Sequence, residues 1–348
     1  MRVLSPSIIV FVFLLITMGA CRQKKQAPIA DKPASESDVL LERLDVLNKQ
    51  IQTDSLNPEF YHERAIFYYK NEEFNEALKD MWTALEIDST YAEYHVTLAD
   101  VYLGMGKMQA CIESLDKALE LDAENIRAYI KQAEINIVFH KYKEALENID
   151  KVLKIDELEA KAYFLRGVVL LENGDTVTGI RNFQKAIDVD QDYFDAHLQL
   201  GILYADKKNK LAIDYFNNAL NIDPKNKEVS YYLAMFYQET GNYEMATQIY
   251  NSILDVEPDF YFALYNIAYT NLVYLKDFET AIDYFTQTIA INPEYADAYY
   301  NRGFAFELID DVDNSRKDYK KTLELIPNYE KAIDGLNRID EFLLEKNQ

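Results

Sequence analysis

The chain is poor in the residues that break or staple a fold. Its 348 residues include 10 Gly, 8 Pro, 2 Cys and 1 Trp. Average usage is about 7% Gly and 5% Pro, so a turn-rich β-sandwich and a collagen-like chain are excluded. Two cysteines allow no disulfide framework. Cationic residues are also scarce: 36 Lys and Arg against 59 Asp and Glu, a net charge of −23. Such a surface repels phosphates and argues against a nucleic-acid partner. Long apolar runs are missing too. The longest is the eleven residues Ile8 to Met18, where a membrane-spanning helix needs ~20. What the chain has in quantity is 27 Tyr and 18 Phe, enough to build a core and to exclude a disordered chain.

The N-terminus reads as an address. Arg2 precedes the apolar run, which ends in Met18-Gly19-Ala20-Cys21. A short apolar segment behind a positive charge suits a secretory signal. The four closing residues resemble a bacterial lipobox, with Met18 where the family has Leu. The resemblance implies a signal peptide over 1–20, cleavage before Cys21 and lipid on that cysteine. More than one acyl chain makes such an anchor stable. A plain signal peptide with a chance cysteine, or an uncleaved anchor, is the alternative. Residues 21–37 then form the lipidated cysteine and a polar tether holding Pro28 and Pro33. By the same resemblance, Arg22 after the cysteine implies a bacterial envelope lipoprotein of the outer membrane, facing the periplasm.

The remainder is one unit copied eight times. Pro224, Pro258, Pro293 and Pro327 are spaced by 34, 35 and 34 residues. An apolar residue followed by Asp recurs at Ile87-Asp88, Leu121-Asp122, Ile155-Asp156, Val189-Asp190 and Ile222-Asp223, and the two rulers meet at Pro224. Small residues keep the period: Ala65, Ala99, Ala133, Gly167, Gly201, Ala234, Ala268 and Gly303 form one row, and Ala77, Cys111, Ala145, Gly179, Ala212, Ala246, Ala281 and Ser315 a second. Tyr61, Ala65 and Tyr68, like Ala77, Met81 and Ala84, follow helical spacing, with the polar break Asn71-Glu72-Glu73 between them. Each copy is helix, turn, helix.

Leu233-Ala234, Tyr237, Gly241, Tyr243, Ala246, Tyr250 and Pro258 show the pattern of the tetratricopeptide repeat, and the chain resembles that family from 58 to 329. The resemblance implies an all-α superhelical solenoid of eight repeats: 58–91, 92–125, 126–159, 160–193, 194–226, 227–260, 261–295 and 296–329. Repeat five is one residue short around Lys207 to Lys210, and repeat seven one long around Leu275 to Asp277. Both ends of a stacked array need capping. An N-terminal cap is expected over 38–57, with Leu40, Leu44, Leu47 and Ile51 on one face, and a C-terminal cap over 330–348.

No catalytic, cofactor or metal motif emerges. His62, His95, His140 and His197 are scattered; His95 and His197 fall where other repeats have Tyr61, Tyr129 and Tyr163. Gly104-Met105-Gly106 reads as turn chemistry, and Cys111 as a packed thiol. The family resemblance implies a non-enzymatic scaffold that binds a protein or peptide in a groove lined by the first helices. An apolar stripe on those helices runs from His62 and Ile66 through Ile130, Phe164 and Leu198 to Tyr231 and Met235, Tyr265 and Tyr269, Tyr300 and Phe304. These last six are the candidate docking residues, with repeat stacking as the alternative role. Arg127, Lys131 and Lys161 are the sole loose cationic cluster, too little for capture of a partner's C-terminal carboxylate. Acidity favours a basic partner. The sequence carries no signal of oligomeric state. Capture of a glycan or nutrient is the alternative function, since aromatic faces can stack sugars.

Overall fold

The computed structural model describes residues 36–346, which contain eighteen α-helices and no strand. The expected signal segment, Cys21 and the tether up to residue 35 lie outside the described residues, as do residues 347–348. Contacts divide the chain into two compact units, Met1–Ala196 and His197–Gln348.

In the first unit, α1 (Glu36–Thr53) precedes four helical hairpins. These are α2 (Pro58–Lys70) with α3 (Phe74–Ile87), α4 (Ala92–Gly104) with α5 (Met108–Leu121), α6 (Ile126–Val138) with α7 (Tyr142–Ile155), and α8 (Ala160–Glu172) with α9 (Thr176–Val189). The second unit takes up α10 (Phe194–Asp206) from His197 onward, with α11 (Leu211–Ile222). It continues with α12 (Lys227–Glu239) and α13 (Tyr243–Val256), α14 (Tyr261–Thr270) and α15 (Phe278–Ile291), and α16 (Ala296–Leu308) and α17 (Val312–Leu325). It ends in α18 (Glu330–Lys346).

Local chemistry sets the ends of these helices. Asn57, Asn125 and Asn226 each precede a first helix, and each side chain accepts a hydrogen bond from a backbone N–H of its first turn, meeting a donor that the helix cannot satisfy internally. Between the two helices of every hairpin sits one left-handed residue: Glu72, Gly106, His140, Gly174, Lys208, Gly241, Lys276 and Asp310. Only three of the eight are glycine, the residue that adopts this conformation without a Cβ penalty. Gly106 thus does turn chemistry, but Gly104 does not. It is the last residue of α4, and a Cβ there would lie 2.4 Å from the Phe74 ring.

Within a hairpin, one large side chain of the second helix is set against a small residue of the first. In the first unit the large residues are Met81, Leu115, Ile149 and Phe183; in the second they are Phe216, Tyr250, Phe285 and Tyr319, all buried. Burial of each contributes roughly 1.5–3 kcal/mol. Three of the aromatics need glycine opposite. A Cβ on Gly167 would meet Phe183 at 2.7 Å, one on Gly201 would meet Phe216 at 2.6 Å, and one on Gly303 would meet Tyr319 at 3.1 Å. Leu47 of α1 is fully buried at the equivalent place, so α1 takes the place of a second helix. In α18, Ala332 and Ile339 are buried. The slot kept small in every first helix carries Asn337 there, and it is exposed. A polar residue thus stands there in place of a small one. Arg338 clamps that end with two bonds to Glu307, at 2.7 and 2.9 Å.

The length changes are absorbed inside hairpins. In repeat five, Lys208 turns left-handed and α11 is shortened to 12 residues. In repeat seven the extra residue widens the end of α14 into a π-turn, Asn271–Leu275, closed by Lys276.

Candidate protein-interaction site

All six candidate docking residues belong to the second unit and are half-buried. They form two rows on α12, α14 and α16. Tyr231, Tyr265 and Tyr300 occupy the fifth position of each helix; Met235, Tyr269 and Phe304 lie one turn further on.

The first row joins one repeat to the next. Asn266 Nδ2 donates to the Tyr231 hydroxyl at 2.8 Å, and Asn301 Nδ2 donates to the Tyr265 hydroxyl at 2.9 Å. The rings are similarly engaged. Tyr231 stands edge-on to Phe260, with centroids 5.5 Å apart, and Tyr265 packs on Tyr295 at 4.9 Å. Tyr300 packs on Tyr329 at 5.2 Å. Burial pushes the Tyr231 phenol up to about 12, the Asn266 bond partly offsetting it. Burial raises Tyr265 further and Tyr300 as well. Stacking is therefore a real role of this row.

The second row is held differently. Met235 packs at the edge of the cluster around Tyr250. Tyr269 lies on Tyr265, and Phe304 lies parallel to Tyr300 at 6.4 Å. Among the described residues the Tyr269 hydroxyl has no hydrogen-bond partner, so this row keeps apolar edges and one hydroxyl open. Asn266 and Asn301 were missed in the sequence reading. Their signal is an asparagine directly after the tyrosine on both α14 and α16.

In the first unit the apolar stripe is largely buried, with Ile66 half-buried. His62, Ile130, Phe164 and Val168 are buried. His62 Nε2 lies 2.8 Å from Thr97 Oγ1 of the next repeat, a hydrogen bond that makes His62 a packing residue. The cationic cluster is real in space but internally neutralised. Arg127 pairs with Glu93 and with Asp100, Lys131 with Asp100 at 2.9 Å, and Lys161 with Glu134 at 2.7 Å. Burial opposes the Lys131 charge, but Asp100 and Glu134 more than offset it and hold the ammonium up.

The other chemically capable groups are structural. His95 Nε2 lies 3.2 Å from the carbonyl of Ser89, six residues back, as the hydroxyls of Tyr61, Tyr129 and Tyr163 do on their own turns. Cys111 is a buried free thiol, pushed up to about 11 by burial. Among the described residues no three His, Cys, Asp or Glu side chains converge to hold a metal ion. No described helix is long and apolar enough to cross a membrane.

Profiles of the tetratricopeptide repeat family match residues 92–125, 203–267 and 270–330. The chain carries tetratricopeptide repeats. Among curated proteins it is similar to RNA polymerase II-associated protein 3 of Rattus norvegicus, 33% identical over 115 residues, which cover 32% of this chain and 16% of that protein. It is also similar to heat shock protein STI1 of Saccharomyces cerevisiae, 26% identical over 110 residues, covering 30% of this chain and 19% of that one. The matches thus span less than a fifth of these relatives' length. Two solved structures share the tetratricopeptide fold. The human IFIT1 dimer with PPP-AAAA has a TM-score of 0.52 at 16% identity, covering 82% of this chain and 69% of that one. The Cut9–Hcn1 hetero-tetramer of APC/C has 0.51 at 16% identity, covering 88% and 60%. The fold class expected from the 34-residue period is the one found. Tetratricopeptide repeats suit protein–protein interaction and scaffolding.

Proposed function

We propose that this chain is a membrane-anchored adaptor. Lipid on Cys21 holds it to the outer membrane of a bacterium, facing the periplasm, and its repeats bind proteins or peptides along their first helices to organise envelope complexes. The observation that carries the docking reading is the row Met235, Tyr269 and Phe304, which stays half-exposed after repeat packing is complete. Aromatic residues and Met are enriched in interface cores. The net charge of −23 favours a basic partner and disfavours nucleic acid.

The test replaces Met235, Tyr269 and Phe304 together by alanine. These residues carry none of the repeat-to-repeat hydrogen bonds, so helix content should hold. Recovery of crosslinked envelope partners should fall at least tenfold; unchanged recovery overturns the docking reading. Anchoring is read separately: labelled palmitate should enter the wild type and not Cys21→Ala. The aromatic faces of the same row also suit sugar stacking. Glycan-array binding lost in the triple variant would favour the nutrient-capture reading.

A further inference from the structure

The extra residue of repeat seven builds something that no other repeat has. The π-turn Asn271–Leu275 places Tyr274 where its ring stacks on Tyr243, the first residue of α13, with centroids 4.5 Å apart and planes at 19°. Tyr269 of the docking row meets Tyr274 edge-on at 6.2 Å. Tyr274 nevertheless remains 39% exposed. π-Turns inside α-helices occur frequently at functional sites.

The charge around these rings is one-sided. Residues 227–295 hold ten carboxylates and two cations, Lys227 and Lys276. Lys227 is occupied by Glu257 at 2.5 Å and by the Phe260 ring. Elsewhere the chain covers its own aromatic faces with its own cations: Lys151 lies over Tyr129 at 4.7 Å and Lys185 over Tyr163 at 5.9 Å. Among the described residues no lysine or arginine lies over Tyr243, Tyr269 or Tyr274.

We infer that Tyr243, Tyr269 and Tyr274, with the Glu239 carboxylate at the end of α12, form a receptor for a cationic side chain, an arginine or lysine, of a protein partner. A cation over aromatic faces is attracted by the ring quadrupole, arginine most often, and the carboxylate adds a charge partner. Burial raises the Tyr274 phenol first, then the neighbouring Tyr269 and Tyr243 and the Glu239 carboxylate. The inference rests on the adaptor reading only in that the ligand is a protein.

The experiment is calorimetric titration of the full chain at 150 mM salt with an acetylated peptide of four alternating glycines and arginines, and with its citrulline counterpart, which keeps shape and loses charge. The arginine peptide should bind at least tenfold tighter. Tyr274→Ala should lose at least fivefold, Glu239→Gln a smaller factor, and Tyr274→Phe should bind within twofold of wild type, because the ring face and not the hydroxyl holds the cation. Equal binding of the two peptides, or wild-type affinity in Tyr274→Ala, overturns the inference. If Tyr274→Ala binds normally while the Met235, Tyr269 and Phe304 triple variant loses its envelope partners, the receptor falls and the docking row stands. Because Tyr269 belongs to both, the reverse arm spares it: if Met235→Ala with Phe304→Ala keeps its envelope partners while Tyr274→Ala loses the arginine peptide, the receptor stands and the docking row falls.

Discussion

At the scale of single residues, the clearest consequence lies in the turns. Five of the eight left-handed positions carry a side chain. Lys208 is exposed in such a turn. Relief of left-handed strain, ~1–2 kcal/mol, less the extra entropy of an unfolded glycine, should make Lys208→Gly more stable by roughly 0.5–1 kcal/mol, read as a higher urea midpoint. The opposite substitution fails inside a hairpin. Gly167→Ala drives a methyl into Phe183 and close to the carbonyl of Gly179; overpacking of this kind costs about 1–3 kcal/mol. Cys111, buried with its thiol held protonated, should resist a thiol reagent until the chain unfolds. The small-residue rows could be read from sequence because size repeats visibly. The left-handed turns could not, since Glu72 and Lys208 look like ordinary polar loop residues.

At the scale of helices, hydrogen bonds and ion pairs mark out particular repeats. Arg302 grips Asp318 with two bonds of 2.7 and 2.9 Å, joining α16 to α17, and Arg64 grips Asp80 in the same way between α2 and α3. These are the first and last hairpins. Asp318 is almost wholly buried. Removing one partner of such a pair costs ~3–5 kcal/mol, while an apolar replacement of both can be neutral. Asp318→Ala should therefore melt well below wild type, and Arg302→Met with Asp318→Leu should recover most of the loss in a thermal scan. This pairing was illegible in the sequence, because partners sixteen residues apart meet only after two helices fold back. The extra residue of repeat seven was visible as a count of 35 between prolines. Its form, a widened helix end and not a longer loop, depends on Asn271 and Leu272 being buried there. The docking row was half legible: periodicity gave its position, but only packing separates Tyr269 and Phe304 from the tyrosines that join repeats.

At the scale of the whole chain, the abundance of buried tyrosine sets a pH limit. Burial raises Tyr231 and Tyr232 to about 12, and Tyr193, Tyr250, Tyr265, Tyr319 and Tyr329 beyond that. The folded chain holds these protons more tightly than the unfolded chain, whose phenols titrate near 10. The resulting stability is complete below pH ~10 and is lost as pH rises through the folded-state values. The buried phenols should ionise only above pH ~10 and together with loss of helical dichroism; complete phenolate absorbance with the helix intact would contradict the burial described.

The matched sizes inside each hairpin also mean that single helices of these repeats are not interchangeable parts. Exchanging α9 for α5 would press the Phe183 ring toward Ala99, and the reciprocal swap would leave Leu115 facing the empty space beside Gly167. Copies that look alike in spacing have each acquired a private lock. Each helix pair must consequently travel together, and a gene that recombined first and second helices of different repeats would keep its 34-residue rhythm while losing its interior fit.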